Sequence, residues 1–265
     1  MYEEYEFLKF ERRGRILVVT MTNPPLNPMT PKMHNELSRI FTDINRDDET
    51  AVVVLTGAEK GFSAGGNIKN MQKRIETQNW ANWFEGVNEA KNILRSLLRL
   101  EKPLIGRVNG HAMGLGASLA VFCDISFMLE TAKIADTHVK VGLVAGDGGS
   151  LMWPLLMGHS KAKQYLFTGD VMTGKEAAEL GLITHSCATE AELDEKVYSL
   201  AERLATGATK AIAWTKMATN MLLIRQLDEL IEKHLEMETQ SFFTADHKEA
   251  VFAMNEKREP KFIGK

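Results

Sequence analysis

Three short apolar runs, AVVVLTG at 51–57, LIGRV at 104–108 and ISFML at 125–129, alternate with longer stretches of helical periodicity. Runs this short and this rich in β-branched residues read as strands buried on both faces. Connections long enough to hold a helix then call for a parallel or mixed sheet with helical cover. The start of the chain differs. Residues 5–22 read as two strands joined by a turn at Arg13-Gly14, and Asn23, Pro24 and Pro25 stop the second. Thr30-Pro31 opens a helix with a cap and a first-turn proline, and Met33, Leu37, Ile40, Phe41 and Ile44 form its apolar face.

Further along, a helix is expected from about Asn82 to Arg99, KIAD is a short extended piece, and LMWPLLMG is a helix kinked or broken near Pro154. From about Lys175 the pattern is helical, over roughly 175–181, 190–206, 209–222 and 225–257. The length of 265 residues suits one large domain, or one with a small appendage. The expected division is a core over 1–195 and a helical region over 196–265.

A net charge of −3 and the lack of a clustered basic face argue against nucleic acid or an anionic membrane as partner. No apolar run approaches the length of a membrane span, and the N-terminus lacks the basic start and apolar core of a signal peptide. Cys123 and Cys187 make neither a disulfide framework nor a Cys-rich zinc site, so a cytoplasmic location is expected. Asp136 and His138 lie close in sequence without a third ligand pattern, and no metal site is expected.

Two glycine-bearing loops each follow a buried strand: Ala64-Gly65-Gly66-Asn67-Ile68, and Gly114-Leu115-Gly116, which opens a helix. Glycine lets a backbone approach a ligand closely, and a helix start offers unpaired N–H groups to a negatively charged oxygen. Spacing alone leaves a second reading open, that the glycines merely turn the chain, and GLG matches neither a dinucleotide nor a Walker fingerprint.

FSAGGNI, then VNGHAMGLGASLAVFCDI, VGLVAGDGGS and FTGDVMTGKEAAELGLI, in that order, resemble the crotonase superfamily of enoyl-CoA hydratases and isomerases, from about residue 5 to at least 205. The resemblance implies a spiral of strand–strand–helix units with a helical C-terminal part that mediates trimer contacts, often in hexamers. It implies an acyl-CoA substrate, with coenzyme A entering as part of the thioester and no permanently bound cofactor. The implied oxyanion donors are the N–H groups of Gly66 and Leu115. The implied CoA-binding positions are Leu26, Ala64, Gly65, Gly66, Ile68 and Gly114, with Lys69 near the CoA phosphates. Fixed donors aimed at the oxygen where charge develops stabilise the transition state more than the ground state, each by about 3 kcal/mol.

The chain departs from the hydratases at two positions. Where they place a Glu in the helix after the second glycine loop, this chain has Ser118. Where they place another before the third glycine loop, it has His138. A His with a reference pKa of about 6.5 is expected to be largely neutral and able to act as base. Asp147, in Gly146-Asp147-Gly148-Gly149, is expected either to orient His138 or to cap the following helix. Ser118 counts among the candidate catalytic residues, with a bland alternative as a small filler bonded to its own backbone. Trp80, Trp83 and Phe84 suit packing or an acyl pocket, Asp124 a strand start, and His111 lies near the second loop. Three functions follow: an acyl-CoA hydratase or isomerase using His138 as base; a C–C hydrolase of a β-diketone or β-ketoacyl thioester using His138 and Asp147, whose spacing resembles ring-opening β-diketone hydrolases of the superfamily; or a silent acyl-CoA-binding member.

Overall fold

A computed structural model describes every residue except Asn79, and it also leaves the side chain of Asn82 undescribed. The chain opens with the antiparallel pair β1 (Leu8–Arg13) and β2 (Ile16–Met21), followed by α1 (Pro31–Asn45). Next come β3 (Val52–Gly57), β4 (Gly61–Ser63), α2 (Ile68–Thr77) and α3 (Ala81–Arg99). Then follow β5 (Leu104–Val108), β6 (His111–Met113), α4 (Leu115–Val121), β7 (Ile125–Leu129), β8 (Lys133–Ala135) and a 3-10 turn at His138–Val141. The remainder is α5 (Gly149–Met157), α6 (His159–Thr168), β9 (Met172–Thr173), α7 (Gly174–Glu179), β10 (His185–Cys187), α8 (Glu190–Ala205), α9 (Thr209–Phe242) and α10 (Ala245–Glu256).

The three middle repeats, β3–β4, β5–β6 and β7–β8, each place one strand in a large sheet and the next in a small one. The large sheet runs β1-β2-β3-β5-β7-β10 and is parallel after the first pair; the small one runs β4-β6-β8-β9. This is the expected spiral of strand–strand–helix units. The three-residue strands β4 and β6 lie directly before the two glycine loops, where the sequence predicts no strand. They are too short to show a period of two, and they pair only because the spiral stacks one turn on the next.

Both faces of the large sheet are covered, which explains its continuous apolar runs. Ile16, Val18, Val52 and Val54 pack with Leu193, Val197 and Ala201 of α8, whereas Leu17, Val19, Val53 and Leu55 join the main core. The expected division at 195/196 falls inside α8, whose buried face lies on this sheet. The apolar stripe of α1 is wholly buried, at about 1.5–3 kcal/mol per large side chain. The Thr30 hydroxyl accepts the Met33 N–H, as its position before Pro31 suggested.

Two helical expectations are corrected. Residues 209–222 and 225–257 do not divide near 223; α9 runs unbroken through Leu223 and Ile224, with no Gly or Pro to stop it, and the break comes at Thr244, which caps α10 through the His247 N–H. Of the kink or break expected at Pro154, the break does not occur. The ring removes one helical hydrogen bond, and the helix continues to Met157 before Gly158 turns the chain into α6.

α9 returns over the core. Its Leu227, Ile231 and Leu235 join the main cluster, and its buried Lys216 reaches Asp124 Oδ2 at 2.7 Å and the Lys102 carbonyl at 2.9 Å. Asp124 also accepts the Leu104 N–H at 2.7 Å, so the expected strand-start role is joined by a long-range ion pair. Lys216→Met keeps the aliphatic stem and leaves Asp124 without its cation. Urea unfolding is expected to show a loss of roughly 3 kcal/mol.

Candidate active site

The two glycine loops touch. Gly65 has φ +72°, and a Cβ built there would sit 2.4 Å from the Met113 carbonyl oxygen, so only glycine permits the approach. The Gly65 N–H donates to Ser63 Oγ at 3.2 Å, and the Gly114 N–H donates to the Ala135 carbonyl at 3.0 Å. Leu115 is the first residue of α4, so its N–H has no partner within the helix. Neither the Gly66 nor the Leu115 N–H donates to another backbone group among the described residues outside regular elements.

These loops line a cavity of about 520 Å³ through Ala64, Gly66, Ile68, Gly114 and Leu115. His138 and Asp147 line the same cavity, as do Glu238 of α9, His34 of α1 and Glu89 of α3. Leu26, Gly65, Lys69 and Ser118 are not part of its wall. The Leu26 carbonyl accepts the Ala64 N–H at 2.9 Å and so fastens the loop, and Lys69 is exposed on α2.

His138 sits between two carboxylates. Its Nδ1 lies 2.7 Å from Asp136 Oδ1, which also accepts the His138 backbone N–H at 3.2 Å, and its Nε2 lies 3.3 Å from Asp147 Oδ2. The second oxygen of Asp147 accepts the Ser118 hydroxyl at 3.1 Å. Asp147 therefore meets His138, and it does not cap α5, whose N-cap is Gly148. Ser118 is not bonded to its own backbone but anchors Asp147. Asp136, rather than Asp147, takes Nδ1. Its place two residues before His138 was the available signal, since an Asp side chain readily accepts the backbone N–H two residues on and so lies beside that residue.

A further correction concerns charge. Burial works against an ionised His138, yet Asp147 and Asp136 outweigh it and hold the ring pKa well above the ordinary value. Burial likewise opposes ionisation of Asp147, but His138 and the Ser118 hydroxyl keep its carboxyl below the usual range. Both carboxylates therefore favour the charged form of the ring, against the largely neutral base expected from its reference pKa.

Glu238 was invisible from the sequence, being a hundred residues away on a helix with no motif. Burial, with Asp147 and Asp136 adding to it and His138 opposing, pushes its carboxyl up to about 8, so it is mostly neutral at pH 7. The third glycine loop makes room for these acids: a Cβ at Gly149 would lie 2.0 Å from Asp136 Oδ2.

Asp136 and His138 do acquire a third companion, because Asp147 brings the three donor atoms within 4.8 Å of one another. Each ring nitrogen nevertheless faces a different carboxylate at hydrogen-bond distance. One ion holding the ring and both carboxylates would have to break one of those bonds.

The aromatic residues mainly pack. Trp83 stacks on Phe242 with ring centroids 4.0 Å apart, and its indole N–H donates to Thr239 Oγ1 at 3.1 Å, while one edge reaches the cavity. Trp80 meets Phe242 edge-on at 5.8 Å, and Phe84 is exposed. His111 Nδ1 accepts the Lys133 N–H at 3.0 Å between β6 and β8, a structural role.

The profile of the family described as Enoyl-CoA hydratase/isomerase matches residues 11–265. The chain belongs to that family, within the crotonase superfamily. A short-chain-enoyl-CoA hydratase of Clostridium acetobutylicum is 32% identical, with 94% of each chain covered. Among solved structures, an enoyl-CoA hydratase/isomerase from Mycobacterium paratuberculosis superposes with a TM-score of 0.87 at 31% identity, covering 93% of this chain and 97% of that one. A β-diketone hydrolase from the cyanobacterium Anabaena sp. PCC 7120, bound to (S)-3-oxocyclohexyl acetic acid, gives a TM-score of 0.82 at 31% identity, covering 91% and 96%. Membership makes this chain an enzyme of the enoyl-CoA hydratase/isomerase type.

Proposed function

We propose that this enzyme acts on an acyl-CoA thioester, holding the carbonyl oxygen between the N–H groups of Gly66 and Leu115 and moving a proton through His138, with Asp147 as its partner. The observation that carries the reading is that both donor loops and the His138–Asp147 pair line one cavity. As an α-proton leaves or a nucleophile adds, negative charge gathers on the thioester oxygen, where fixed N–H dipoles stabilise it without reorganising. His138 supplies the proton traffic. Its raised pKa makes the neutral ring a stronger base and a scarcer one at pH 7, so a step that uses it as base speeds up as pH rises above the ordinary His range. One base that removes and returns a proton suffices for isomerisation. Ala64, Gly66 and Ile68 are the backbone positions for the adenine, and Lys69 lies beside them for the phosphates.

Crotonyl-CoA hydration, followed by loss of the conjugated enoyl thioester, tests the reading. Hydration that rises with pH supports it. Inertness towards enoyl thioesters as a class, despite measurable binding, argues for the second reading.

That second reading is hydrolysis of a C–C bond in a β-diketone. It is favoured by the absence of a carboxylate at both Ser118 and His138, by the His138–Asp147 contact, and by the likeness to the Anabaena hydrolase. Ring opening of a cyclic β-diketone by the wild type would establish it, and inertness across such compounds would remove it.

A homotrimer, or a hexamer formed from two trimers, belongs to the reading. The exposed apolar side chains of Phe167, Trp214, Met221 and Leu222 support it. Among the described residues no helix is long and apolar enough to cross a membrane. Two buried, unpaired cysteines support a reducing, cytoplasmic location.

A further inference from the structure

A second histidine–carboxylate pair faces the cavity and has no part in the chemistry above. His34 Nδ1 lies 2.7 Å from Glu89 Oε2, and the other oxygen of Glu89 accepts the Asn35 amide at 2.8 Å. Burial opposes ionisation of Glu89, yet the hydrogen bonds from His34 and Asn35 outweigh it and hold the carboxyl below the usual range. A carboxylate can only accept, so Nδ1 carries a hydrogen and the ring orientation is fixed. Nε2 then has no hydrogen-bond partner among the described residues, on a half-buried side chain that lines the cavity.

Much of the wall around it is apolar, including Met29, Met71, Val87, Ala90 and Leu235. An oriented ring nitrogen beside such a surface loses water when a ligand enters, and it costs affinity unless the ligand supplies a partner. His34 lines the same cavity as His138, Asp147 and the two glycine loops, so a ligand held by those loops shares the space that His34 faces.

We infer that His34, fixed by Glu89, recognises an oxygen on the acyl group, so that the preferred substrates carry a hydroxyl or carbonyl oxygen beyond the thioester. The inference rests on the acyl-CoA reading and deepens it. Unprotonated Nε2 accepts from a hydroxyl; once protonated, it donates to a carbonyl. A plain alkyl chain satisfies neither. Sites built to hydrogen-bond a substrate group discriminate strongly against analogues that lack it.

Equilibrium binding of pentanoyl-CoA, 4-hydroxypentanoyl-CoA and 4-oxopentanoyl-CoA tests this on the full-length wild type, His34→Leu and Glu89→Gln. The three ligands share a skeleton and cannot undergo hydration. The wild type is expected to bind at least one oxygenated thioester about tenfold more tightly than pentanoyl-CoA, and which one it prefers distinguishes hydroxyl from carbonyl recognition. His34→Leu is expected to abolish the preference, weakening binding of the oxygenated thioester and tightening that of pentanoyl-CoA, whose alkyl chain no longer strips water from the ring. Glu89→Gln, which leaves one acceptor oxygen where His34 and Asn35 each need one, loosens the ring and should weaken the preference. Equal wild-type affinity for all three, or a His34→Leu loss that is the same for all three, overturns the inference and leaves the acyl-CoA reading standing. Failure of every thioester to bind overturns the acyl-CoA reading, and this inference with it.

Discussion

Replacing His138 with Ala is expected to lower turnover by roughly 10²–10⁴-fold, the range for loss of a positioned acid–base group. The ring touches both Asp136 and Asp147, which places it to carry the proton that the proposed chemistry moves. Steady-state kinetics measure the loss, and CoA-ester binding should survive because the loops at Gly66 and Leu115 do not depend on the ring. Removing a buried cation also leaves two carboxylates facing each other, which costs about 3–5 kcal/mol. His138→Gln separates the two effects, since it restores a donor without restoring a movable proton. If His138→Gln turns over like the wild type, the proton role is gone. In the wild type, kcat/KM for a base-dependent step should rise with pH through an apparent pKa above the ordinary His value. A limb that falls over that range would assign His138 as acid instead.

Glu238→Gln is expected to change how stability depends on pH. The Glu238 carboxyl titrates near 8 in the folded chain and near 4.5 in the unfolded one, so the folded state holds a proton that the unfolded state has lost. Stability then falls as pH rises between those values, by roughly 4 kcal/mol if Glu238 acted alone. His138 acts in the same direction: its contribution is complete below the ordinary His pKa and is lost as pH rises through its raised folded value. Asp147, held low, contributes above the usual Asp value and loses that contribution only in strong acid. Urea unfolding at pH 5 and pH 8 should show the wild type more stable at pH 5. Glu238→Gln removes the carboxyl's share of that difference and leaves the share of His138. An unchanged difference would mean that Glu238 is ionised in the fold.

The placement of Glu238 has a chemical consequence as well. Asp136 Oδ2 and Glu238 Oε2 are buried without hydrogen-bond partners among the described residues. Unsatisfied acids are costly in a packed interior and concentrate where function requires them. Glu238, His138 and Asp147 line one cavity, with Asp136 bonded to the far side of the ring, so a proton moved by substrate chemistry has several places to settle.

Local sequence determined a good deal. The buried strands, the α1 stripe, its Thr30-Pro31 start and the glycine loops are written in periods of two and 3.6 and in cap and turn residues, each acting over a few positions. Family-level motifs carried the proposed donors at Gly66 and Leu115 and the presence of Ser118 and His138 where hydratases place carboxylates. What lay beyond reach was whatever depends on spiral stacking. The strands β4 and β6 exist because neighbouring turns bring three residues edge to edge. The continuity of α9 follows from its packing over the core through Leu227, Ile231 and Leu235 rather than from any local stop signal.

The chemistry divides in the same way. The sequence by itself determined that His138 and Asp147 stand nine residues apart on a glycine-rich loop. The tertiary structure decided that Asp136 takes one ring nitrogen, that Asp147 faces the other with Ser118 behind it, and that Glu238 and His34 enter the same cavity from α9 and α1. A side chain's charge state follows from its burial and its neighbours, and both are set by contacts between segments far apart along the chain.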